Sequence, residues 1–123
     1  MSFQIFFSVS DGVLTISSDD APGLWAGQPD GMRVLDLRVA SDGCSAIALL
    51  DPPAGAGRVR NLVRVTSSGD IAWRGELPED GPTDAFVSLD VGIEGVILAA
   101  TWTGYRVRLD PVTGRLLGQE FTK

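Results

Sequence analysis

The sequence predicts an all-β fold of short antiparallel strands, and three observations carry that prediction. Alternating apolar and polar residues recur along most of the 123 residues. Turns rich in Gly, Asp, Ser and Pro punctuate those runs at short intervals. Helical periodicity is nearly absent. A chain of this length is one domain and can bury a core without disulfides.

A leading hairpin occupies residues 1–17, with FQIFFSV and VLTIS joined across Ser10-Asp11-Gly12. The Asp-Gly step supplies the positive φ of a tight turn. The long loop SSDDAPGLWAGQPDG follows. A first four-stranded meander spans residues 32–78: MRVLDLRVA, CSAIALLD after the Asp42-Gly43 turn, RNLVRV after the protruding loop PPAGAGR, and IAWRGEL after SSGD. A second spans residues 85–121: AFVSLDV, VILAATW, YRVRLD and RLLGQEF, linked by GIEG, Thr103-Gly104 and PVTG. These make about ten strands, with links short enough to be hairpins. VILAATW reads as buried on both faces. In YRVRLD, Tyr105, Val107 and Leu109 alternate with Arg106 and Arg108, which puts one face in water.

The two meanders repeat. With Gly69 placed on Gly114, Val63 and Val65 fall near Val107 and Leu109, Ile71 falls on Leu116, and Trp73 falls on Gly118. A four-stranded antiparallel meander of this kind is one propeller blade. The turn Asp110-Pro111-Val112-Thr113-Gly114 resembles the Asp-x-x-Thr-Gly turn of quinoprotein-type (PQQ-like) propeller repeats, in which a Trp four residues later docks blade on blade. The first meander has Gly69 and Trp73 without the Asp-x-x-Thr; the second has Asp110, Thr113 and Gly114 with Gly118 in place of the Trp. The resemblance covers residues 32–123 and implies blade geometry; it implies no quinone and no other cofactor for this chain. Without it, Asp110 still caps backbone amides and Gly114 takes the left-handed position.

Two blades and a hairpin fall short of a closed ring of about four to eight blades. Either two chains pool their blades in a homodimer, or the strands close as a small barrel or sandwich.

A net charge of −6 and a pI near 4.4 disfavour a nucleic-acid partner and an anionic membrane surface. Cys44 is the only cysteine, so no intramolecular disulfide forms, and its apolar setting CSAIALL predicts a buried, inert thiol. The N-terminal apolar run has no basic flank and breaks after Phe7, so a cytoplasmic protein is expected.

With no histidine, His-based acid–base and nucleophilic systems and most transition-metal sites are excluded. Metal ligation is not expected. Paired carboxylates can hydrolyse glycosides without histidine. Asp19, Asp20, Asp30, Asp51, Glu79, Asp80, Asp84 and Asp110 are the candidates by type, but their turn positions are explained by local backbone bonding. The stretch most like a binding surface is the loop around Trp25, with Leu24 as a second anchor and Asp19, Asp20 and Gln28 as polar contacts. The alternative is that Trp25 folds back to cap an open sheet end. Trp73 and Trp102 fall in predicted strands and are assigned to packing. The expected function is a non-catalytic module that binds another protein or a copy of itself. The alternatives are a small-ligand or carbohydrate binder that stacks Trp25 or Trp102 on its ligand, and a carboxylate-dependent hydrolase.

Overall fold

Each apolar run pairs with its neighbour along the chain. The computed structural model, which describes residues 4–21, 23–79 and 81–122, is therefore a row of three antiparallel sheets. The first contains β1 (Ile5–Ser10), β2 (Val13–Ser18) and β3 (Trp25–Gly27). The second contains β4 (Val34–Val39), β5 (Ser45–Leu50), β6 (Leu62–Thr66) and β7 (Ile71–Arg74) in that spatial order. The third contains β8 (Asp90–Val91), β9 (Ile97–Ala100), β10 (Tyr105–Leu109) and β11 (Leu116–Phe121), also in order. Such meanders resemble propeller blades.

Three expectations change. The loop around Trp25 contributes a strand, β3, which pairs with β2 from Leu14–Gly27 to Ile16–Trp25, so the leading hairpin is a three-stranded sheet. AFVSLDV yields only the short β8, plus an isolated bridge from Phe86 to Thr101. VILAATW is not buried on both faces, because Leu98 faces outward from an end sheet. The strand buried on both faces is β5, all six residues of which are covered.

That burial follows from position. β5 lies in the middle sheet, so its alternating side chains enter two separate cores. Ile47 and Leu49 join Phe86, Ile97, Val107 and Leu109 between the second and third sheets. Ala48 and Leu50 join Leu14, Ile16, Val63 and Val65 between the first and second. Each fully buried aliphatic side chain contributes about 1.5–3 kcal/mol.

Asn61, fully buried, ties the second sheet to the segment entering the third. Its Nδ2 donates to Leu50 O at 2.8 Å and Phe86 O at 2.9 Å, and its Oδ1 accepts from Phe86 N at 2.7 Å. Asp30, in the short turn Pro29–Gly31 that leads into the second sheet, accepts Arg74 Nε at 2.8 Å and Nη2 at 2.7 Å. This bidentate pair fastens the connection to the outermost strand of the sheet it feeds.

Replacing Asn61 by Ala strands three buried backbone groups and is expected to cost about 2–4 kcal/mol, read as a lower urea midpoint with unchanged slope. The Arg74 guanidinium holds the Asp30 carboxyl below its ordinary value, despite partial burial. The Cys44 amide does the same for Asp42, helped by Ser45 and Arg64. Lowered native values stabilise the fold above the unfolded-state pKa, and the benefit disappears as pH falls through the native values. The exposed Asp30–Arg74 pair contributes at most about 1 kcal/mol. Asp30→Asn is therefore expected to lower thermal stability slightly at neutral pH, with the gap to the parent protein closing below about pH 4.

Candidate functional site

The three tryptophans divide the molecule into what holds it together and what it presents. The Trp25 indole lies against Gly69 of the second sheet, where a Cβ would sit 2.4 Å from its Cδ1. The Trp73 indole lies against Gly114 of the third, where a Cβ would sit 2.6 Å from its Cδ2. Both glycines have positive φ, 87° and 73°, so a side chain there would be strained as well as blocked.

The receiving turn is built for this contact. Asp110 Oδ1 accepts from Val112 N at 2.8 Å, Thr113 Oγ1 accepts from Arg115 N at 3.3 Å, and Gly114 N donates to Asp110 O at 2.8 Å. The turn thus holds the Pro111 carbonyl for the Trp73 Nε1–H at 2.9 Å, and Arg64 Nη1 donates to the same oxygen. Glu76, three residues after Trp73, accepts Leu116 N at 2.7 Å and donates its own amide to Gly114 O at 2.9 Å. A docking unit therefore spans two sheets, with the indole from one and the Gly turn from the next. The half-motifs in the sequence are the two sides of one contact.

The residues singled out in the Trp25 loop part company. Trp25 packs against the core between the first and second sheets. Leu24 remains 45 % exposed, and Asp19 and Asp20 stay on the surface of the β2–β3 connection. Gln28 is half-buried just after β3. Cys44 is exposed rather than buried, because it sits in the Asp42–Cys44 turn with its amide on Asp42 Oδ1, one residue before the covered strand begins.

Trp102 is the tryptophan that faces solvent, at 69 % exposure, and it is not in a strand. The ladder ends at the Thr101 bridge to Phe86, and Trp102 N donates to Ala85 O at 2.9 Å within the β9–β10 turn. Buried Asp84 pins that turn, accepting Thr103 N at 3.2 Å, Thr103 Oγ1 at 3.1 Å and Ala85 N at 2.9 Å. The Asp84 backbone also ties down the β5–β6 loop, through Val59 N to Asp84 O at 3.0 Å and Asp84 N to Gly57 O at 3.3 Å. Between loop and turn runs a groove of about 480 Å³, walled by Leu35, Pro52, Pro53, Ala54, Val87 and Trp102. Leu35 and Val87 are themselves 57 % and 51 % exposed. The groove has the size of a ligand cleft, with mostly apolar walls on a fixed frame.

The other carboxylates are dispersed. Asp110 caps its own turn, Asp30 is paired with Arg74, and Asp80 lies outside the described residues. Among the described residues, no three Cys, Asp or Glu side chains gather as metal ligands, and no helix is long and apolar enough to cross a membrane. Arg64 is paired with Asp42, and Arg60 donates to the Gly75 carbonyl at 2.9 Å.

Comparison with solved structures agrees with the sheet arrangement. BamB from Moraxella catarrhalis, a β-propeller, is similar over 99% of this chain at 15% identity and a TM-score of 0.58. A protein of unknown function from Bacteroides caccae is similar over 98% at 18% identity and a TM-score of 0.53. The computationally designed Ika8 protein is similar over 97% at 14% identity and a TM-score of 0.54. The chain spans only 35%, 43% and 36% of those chains, respectively. It is thus an all-β protein of propeller-like sheets. It belongs to the family described as Domain of unknown function (DUF7957), which matches residues 35–121. No curated protein matches it.

The tryptophans are expected to separate by thermal unfolding. Trp73→Ala costs about 3–5 kcal/mol through the cavity and the lost indole bond, and Trp25→Ala also lowers the midpoint clearly. Trp102→Ala stays within about 0.5 kcal/mol of the parent.

Proposed function

We propose that this protein is a non-catalytic protein-binding module that grips an apolar segment of its partner in the groove beside Trp102. One observation carries the reading: a large aromatic side chain stands in solvent on a turn locked by Asp84, above an apolar trough. A rigid, exposed Trp beside prolines is a typical anchor for a partner, since it adds contact area with little loss of conformational freedom.

The carbohydrate reading has less support. Sugar recognition needs several polar groups free to meet hydroxyls; of the two carboxylates lining this groove, Asp84 already accepts three hydrogen bonds from its own chain, which leaves Asp51 alone to do so. The hydrolase reading needs two carboxylates about 5–10 Å apart with free oxygens; Asp30, Asp84 and Asp110 are already engaged. No cofactor enters the proposal. The quinoprotein-type assignment of the repeats belongs to it, supported by the indole-on-glycine contacts at Gly69 and Gly114. So does a cytoplasmic location, which the exposed free thiol of Cys44 suits.

The test is selection from a displayed random-peptide library, followed by affinity measurement on the parent protein and on Trp102→Ala. Peptides with aromatic or branched apolar anchors should emerge, and Trp102→Ala should weaken them by roughly thirtyfold or more with an unchanged melting midpoint. Equal binding by the two proteins would overturn the assignment. Saccharide binding that depends on Trp102, with no peptide enriched, would transfer the groove to the ligand-binding reading.

A further inference from the structure

The outward face of the third sheet repeats half of an internal contact. In the second sheet a β-bulge between Arg64 and Val65 leaves Arg64 opposite Trp73. In the third a bulge between Arg108 and Leu109 leaves Arg108 opposite Gly118. Arg64 reaches forward to the Pro111 carbonyl of the following sheet. Arg108 occupies the same place, but among the described residues its guanidinium has no hydrogen-bond or ion-pair partner, and neither does that of Arg106. Its guanidinium lies across Gly118, where a Cβ would sit 2.5 Å from Nη2. Where a docking indole would otherwise project there is a concavity of about 810 Å³, floored by Leu98 and Ala100 and edged by Asp90 and by Glu120, which lies across from Arg106.

The first sheet presents the other half. Its outward positions are uncharged: Phe6, Ser8, Val13, Thr15 and Ala26. Its β2–β3 connection stands where the second and third sheets carry the turns that receive Trp25 and Trp73, between the last two strands. It bears Asp19 and Asp20, both exposed, whose carboxylates have no partner among the described residues. One end of the stack thus offers two arginines and two carboxylates around a hollow, with the Arg108 guanidinium free, and the other offers only aspartates beside small and apolar side chains.

We infer that two copies of this chain join head to tail, the Arg106–Arg108 face of each meeting the Asp19–Asp20 end of the other, and close a ring of six sheets. Closure sets the number. A contact between two different surfaces either forms a ring or runs on as a filament. Closed propellers hold about four to eight blades, and this chain contributes three sheets. Two copies give six, the only multiple of three in that range.

The experiment is light scattering and sedimentation of the parent protein, Arg108→Glu, and the double variant Asp19→Lys/Asp20→Lys, across an about hundredfold dilution. The parent should run at twice 13.0 kDa. Each charge reversal should weaken the dimer at least roughly tenfold with unchanged thermal unfolding, because every substituted side chain is exposed. An equimolar mixture of the two variants is decisive. In a head-to-tail ring one contact becomes Glu against Lys and the other stays native, so the mixture should recover the dimer. A monomeric parent, a dimer indifferent to both reversals, or a mixture that fails to recover would each overturn the inference.

Discussion

An indole resting on a glycine holds this protein together. Sheets twist, and two twisted sheets meet closely only where the side chains between them are shaped for it. Trp25 over Gly69 and Trp73 over Gly114 set that approach. The glycine must be bare for the ring to lie flat, and its turn must hold a carbonyl outward for the Trp73 indole N–H. The cores behind the indoles, around Leu14 and Ile16 on one side and Ile97 and Val107 on the other, fill the space that this approach leaves.

The polar groups at the second junction extend the same frame to the surface. Asn61 and Asp84 are buried, and each spends its hydrogen-bonding capacity on backbone or on Thr103. A satisfied buried network fixes one arrangement of the groups around it. Here it fixes the β9–β10 turn relative to the β5–β6 loop, and with them the shape of the groove between. The tryptophans are divided: two are turned inward as fasteners and the third outward.

Much of the architecture was legible from short-range chemistry. Asp-Gly and Asp-Pro-Val-Thr-Gly steps mark turns by their backbone demands, and the period-two runs between them mark strands. The repeat placing Gly69 on Gly114 held to the level of a shared bulge. What could not be read was the partner of each face. Trp25 sits among Pro and Gly and looks like a loop residue, yet pairing with Ile16 makes it strand and turns its ring inward. Trp102 ends an apolar run and looks like strand, yet the ladder stops one residue earlier. Cys44 begins an apolar run and is exposed for the same reason: periodicity gives the face of a residue but not the residue at which pairing starts. One signal was available. Trp-x-Gly followed by Gln or Glu occurs at Trp25–Gln28 and again at Trp73–Glu76, and this second repeat would have placed the two docking indoles together.

The covering of β5 on both faces has a consequence for how the chain comes apart. Its amides lie between β4 and β6 and beneath two cores, so they open to solvent only when both junctions have separated. The amides of β1 and β11 belong to strands at the sheet margins and are released by local fraying. Hydrogen exchange should therefore rank the molecule from the margins inward, with Ala46 to Leu49 reporting the global opening. The middle sheet is the last foldon to unfold, and the end sheets are the parts a cell could remodel first.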